Sequence, residues 1–157
     1  MTPAENTQSN GFTLIELVIV MSCVAIILSV VMKSTRGMQQ EAQITKVQGE
    51  ISTLKSAVTS YWKNNGGTYP ENITTALTSA SPQILAESLI DPFNTDAVNN
   101  TYGYELGTDP TFGTYFCIYS QGPRGDTAAP AWDAANQRFT YTGSGAAVSN
   151  APVIKLP

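Results

Sequence analysis

The sequence predicts an α+β fold in which one long N-terminal α-helix packs on a small antiparallel β-sheet. The helix is expected to be transmembrane in its first half and amphipathic in its second. Three observations predict this. Residues 12–32 (FTLIELVIVMSCVAIILSVVM) are predominantly apolar and carry a single charge, Glu16. A narrow apolar stripe continues through residues 44–61 at helical spacing. Downstream, three short runs rich in aromatic and β-branched residues are separated by Gly, Pro, Asp and Asn.

Residues 1–11 (MTPAENTQSNG) are polar, contain Pro3 and read as a leader. Residues 12–32 form a helix of roughly 30 Å at ~1.5 Å rise per residue, the thickness of a bilayer core. A soluble core helix is rarely apolar all round for so long. An ordinary secretory signal is not indicated, because no basic residue precedes the run and no A-x-A-like site follows it. The small residue that suits cleavage, Gly11, precedes it.

Residues 33–65 continue the helix. Ile44, Val47, Ile51, Leu54, Val58 and Tyr61 recur at alternating spacings of three and four. Gln43, Lys46, Glu50 and Ser60 lie on the opposite face. The stripe suits packing on the downstream domain, or a short coiled coil. Asn64, Asn65, Gly66 and Gly67 provide the stop.

Residues 66–157 read as a globular head. Ser81-Pro82 looks like an N-cap with proline at the first helical position, so a short helix is expected through about Ile90, broken by Asp91-Pro92. Strands are expected over residues 101–106, 114–120 and 138–142, with Val153-Ile154 as a further edge strand.

The net charge is −4, which does not suggest a nucleic-acid binder. The charge is uneven: five basic and three acidic residues fall between Phe12 and Asn65, against three and eight from Gly66 onward. This fits two differently solvated surfaces, or opposite charges meeting between subunits. Cys23 and Cys117 read as buried small hydrophobes rather than a disulfide. There is no histidine, nucleophile motif or phosphate loop, so the sequence points away from an enzyme.

The order Gly11-Phe12-Thr13-Leu14-Ile15-Glu16, followed by about 20 apolar residues and a long amphipathic helix, resembles the type IV filament superfamily: type IV pilins and the pseudopilins of type II secretion. The resemblance implies that a prepilin peptidase cuts between Gly11 and Phe12 and methylates the new Phe12 amine. It implies that Glu16 attracts the Phe12 amine of a neighbouring subunit during assembly. A carboxylate inside a membrane span is costly unless paired, so a functional role for Glu16 also follows from its position. Other implied partners are copies of the chain, related pilin-like subunits and an inner-membrane assembly platform. The chain would be a single-pass inner-membrane protein before assembly and part of a periplasmic or extracellular filament afterwards.

The sequence departs from the family at two places. Family leaders usually carry lysine or arginine and this one has none, so either a specialised route inserts the helix or the true start lies further upstream. Lys33 stands where many relatives have a helix-kinking proline.

The stretch from Asn64 to Pro70, then Asp91-Pro92-Phe93, then residues 119–126 (YSQGPRGD) resemble major pseudopilins most closely. That resemblance implies a calcium loop. Arg124 occupies the place of an expected aspartate, which leaves Asp126 and Asp133 as candidate ligands; the competing reading is a solvated acidic loop. The expected function is therefore a structural filament subunit, foremost a type II secretion pseudopilin. A type IV pilin for adhesion, motility or DNA uptake is the alternative, and a membrane-anchored binding module that never polymerises is the reading from another class.

Overall fold

The computed structural model describes residues 12–157, apart from the side chains of residues 33–36. The expected leader, residues 1–11, lies outside the described residues. Helix α1 runs over Leu14–Asn64. The chain divides into two compact units between Gln39 and Gln40.

In the first unit the α1 segment is apolar on every side, with a mean hydropathy of 2.9 over its best 18-residue window and no burial within the chain. It is long and apolar enough to cross a membrane. Its few hydroxyls fold back on the helix: Ser22 Oγ donates to the Val18 carbonyl at 2.8 Å and Ser29 Oγ to the Ile26 carbonyl at 2.7 Å. Such back-bonding satisfies polar groups that lipid cannot.

In the second unit the apolar stripe of α1 becomes core. Val47, Ile51, Leu54, Ala57 and Val58 are buried, and Tyr61 packs against them. The other layer is β1 (Gly103–Asp109), β2 (Gly113–Tyr119) and β5 (Ala147–Ser149), an antiparallel sheet in the order β1-β2-β5. Phe116 and Ile118 of β2 join the stripe in this core. On the other face of β2, Tyr115 stacks on Trp132 at 4.8 Å, and Trp132 meets Phe139 at 4.9 Å. Those two residues belong to a second three-stranded sheet. It is built from β3 (Ala131–Asp133), β4 (Arg138–Tyr141) and β6 (Val153–Lys155), with β6 parallel to β4.

Glycine on β1 makes room for rings. A Cβ at Gly103 would collide with the Tyr119 ring, and one at Gly107 with Trp132. Small residues on an edge strand are here covered by aromatic side chains. Helix α1 stops where expected: Gly66 and Gly67 take φ of 63° and 81°, and the Gly67 N–H donates to the Trp62 carbonyl.

The expected helix over residues 81–90 is not present. The short helix, α2, lies earlier at Ile73–Ser79. Asn72 caps it, accepting from the N–H groups of Thr74 and Thr75. The amides of Ile84 and Leu85 then donate to the Leu77 carbonyl, so they close the end of α2 instead of starting a new helix. Ile84, Leu85 and Leu89 still pack on the core. Glu50 also differs from expectation: it is half-buried and accepts from Tyr102 Oη at 2.5 Å while pairing with Lys46.

Candidate assembly site

Helix α1 opens at Thr13. The Glu16 N–H donates to Thr13 Oγ1 at 3.3 Å, and Thr13 N–H and Oγ1–H both reach Glu16 Oε2 at 3.5 Å. This reciprocal pair is a capping box, Thr at the N-cap and Glu three residues on. The helix begins there because Leu17 N–H donates to the Thr13 carbonyl. Four amides at a helix start lack partners within the helix, and the positive end of the helix dipole favours a carboxylate there.

Phe12 is exposed, and so is Glu16. The carboxylate is thus anchored at the first turn yet open to a charge brought by another molecule. Among residues 12–32 it is the sole acidic or basic side chain. Gly11, and with it the expected cleavage point, lies outside the described residues. Thr13 is the residue missed in the sequence, although Thr-x-x-Glu before an apolar run is a recognisable start signal.

The two acidic residues expected at a calcium loop serve separate partners. Asp126 Oδ1 accepts from Ser144 N–H at 2.7 Å and Ser144 Oγ at 2.6 Å. The Ser144 hydroxyl, then its amide, hold the Asp126 carboxyl below the usual carboxylate range. Asp133 Oδ2 accepts from Asn136 Nδ2 at 2.7 Å and lies 3.3 Å from Arg138 Nε. Its carboxyl is likewise held low, first by the Asn136 side chain. Calcium requires six to eight converging oxygens. Here each carboxylate already faces protein donors or a guanidinium, and the described residues include no group of three acids, cysteines or histidines. This donor set does not fit the ion.

In the sequence Asp91 stands out as a helix breaker and as part of the Asp91-Pro92-Phe93 stretch that resembles major pseudopilins, not as a buried anchor. It is 1% exposed, accepting from Phe93 N–H, Ser120 Oγ and Gln121 N–H. It ties the segment after α2 to the end of β2.

Residues 6–32 match the family described as the prokaryotic N-terminal methylation motif. A type IV major pilin protein, PilE1, of Neisseria gonorrhoeae is 39% identical over 77 residues, 49% of this chain and 46% of the relative. A fimbrial protein of Neisseria meningitidis serogroup A / serotype 4A is 38% identical over 79 residues, 50% of this chain and 46% of the relative. The chain spans about half the length of the curated relatives it matches. No solved structure matches it. In the methylation motif at its start, in its pilin relatives and in a long N-terminal helix packed on a small sheet, the chain is similar to the type IV pilin and pseudopilin superfamily.

Proposed function

We propose that the chain is a structural subunit of a type IV pilus-like filament, held in the inner membrane by α1 until assembly. A prepilin peptidase cuts between Gly11 and Phe12 and methylates the Phe12 amine. The freed amine is positive, and Glu16 of an adjacent copy is the charge it meets. In lipid the attraction is strong and an unpaired charge is costly, so the pair fixes the level at which each subunit enters. The inner-membrane assembly platform and related pilin-like subunits complete the partners. The observation that carries this reading is Glu16: a lone carboxylate, capped onto Thr13, at the start of an otherwise uncharged span.

The test is Glu16→Ala, read by membrane fractionation and by the yield of sheared filaments. Normal insertion with loss of filaments is the expected result. Normal insertion with normal filaments contradicts the reading, and would favour an anchored module that does not polymerise.

Within this reading we place the chain first among the pseudopilins of type II secretion. The turn from Asn64 to Pro70 and the free, buried Cys117 support this, since a lone cysteine cannot pin a C-terminal loop. A pilus role has its own support in the relatives, which are named as type IV major pilins and fimbrial proteins. Deleting the gene separates the two: loss of a secreted protein points to secretion, loss of surface pili with secretion intact to a pilus.

A further inference from the structure

We propose that the second unit carries a binding cleft for a neutral saccharide, between the end of α1 and the β1–β2 hairpin. The cleft has a volume of about 680 Å³, within the range of small-ligand sites. Its walls alternate rings with polar groups: Trp62, Tyr69 and Phe112 beside Glu71, Thr108 and Asn150.

The rings are held in place, Tyr69 half-buried against the core and Trp62 and Phe112 exposed. Trp62 and Tyr69 stack at 6.0 Å with planes 26° apart, and Trp62 is 38% exposed. Gly67 lies against the indole, where a Cβ would stand 3.6 Å from the ring. Phe112 is 65% exposed at the hairpin tip, an unusual place for a large apolar side chain. It is not loosely presented, because Asp109 Oδ1 accepts the amides of both Thr111 and Phe112.

The polar groups are equally fixed. Asn150 Oδ1 accepts from the Phe116 N–H and its Nδ2 donates to Tyr69 Oη at 3.0 Å. The tyrosine hydroxyl, used there as an acceptor, keeps its own proton for a ligand oxygen. Asn150 retains a second amide hydrogen, and Glu71 and Thr108 add acceptors. Flat rings for a C–H face, with donors and acceptors at their margins, are the chemistry a pyranose needs. The charge on the cleft wall is Glu71, in a half of the chain with eight acidic and three basic residues. That field repels nucleic acid and acidic glycans and admits a neutral sugar.

The probes are the hexasaccharides of β-1,4-glucose, α-1,4-glucose and β-1,4-N-acetylglucosamine. Each is titrated into the full-length chain in detergent micelles and read by calorimetry and tryptophan fluorescence. Saturable binding of at least one, insensitive to salt, is expected. Phe112→Ala and Trp62→Ala should each weaken it about tenfold or more, and Trp62→Phe should recover most of the loss. Phe112→Ala removes a side chain that is 65% exposed, and circular dichroism verifies the fold of each variant. The proposal is overturned if none of the three binds, or if binding is unchanged in Phe112→Ala. It is also overturned if the cleft takes a single-stranded oligonucleotide or a second copy of the chain instead.

Discussion

Ser120 Oγ donates to Asp91 Oδ1 at 2.9 Å inside the head, where both side chains are shielded from water. A buried carboxylate survives only when its oxygens are engaged, and Asp91 takes two backbone amides besides this hydroxyl. Asp91→Ala strands three donors and is expected to destabilise the head by about 2–4 kcal/mol, against about 1 kcal/mol for Ser120→Ala. Urea denaturation followed by fluorescence checks the order. Equal, small effects would show that the acid is not holding the segment.

Leu54 is 3% exposed in the stripe that α1 lays against Phe116 and Ile118. Leu54→Ala is expected to cost about 2–5 kcal/mol through lost burial and a cavity. Ser56, exposed two residues later, should tolerate alanine within about 0.5 kcal/mol. Thermal unfolding of both variants tests the helix face directly, because a helix rotated from this register would reverse them.

The Asp126 carboxyl titrates below its ordinary range, chiefly because Ser144 donates its hydroxyl. A lowered carboxyl favours the fold above its unfolded pKa, and that contribution disappears as pH falls through the lower folded value. Ser144→Ala should therefore raise the Asp126 midpoint toward the ordinary carboxylate range. A carboxyl-carbon NMR titration reads this, and an unmoved midpoint would discard the assigned cause.

The helix was legible because its signals are local and repeated. Residues 12–32 and the stripe from Ile44 to Tyr61 each follow from composition and period, and the double asparagine and double glycine mark the end. The central parts of β1, β2, β4 and β6 were visible for the same reason. Residues 131–133 and 147–149 were not, because a three-residue strand is defined by its neighbours: Trp132 by Tyr115 and Phe139, Val148 by its pairing with Ile118. The misplaced short helix shows two cap signals in competition, where Asn72 won over Ser81 because Ile73 and Leu77 can bury on the core. At the candidate site, Glu16 stood out as a lone charge among apolar residues. Thr13 did not, since its part depends on reading the pair together.

The account depends most on a Phe12 amine set free before assembly. The direct measurement is the intact mass of the subunit recovered from sheared filaments. A chain beginning at Phe12 and carrying one added methyl group is predicted. Filaments built from subunits that retain residues 1–11 would contradict it.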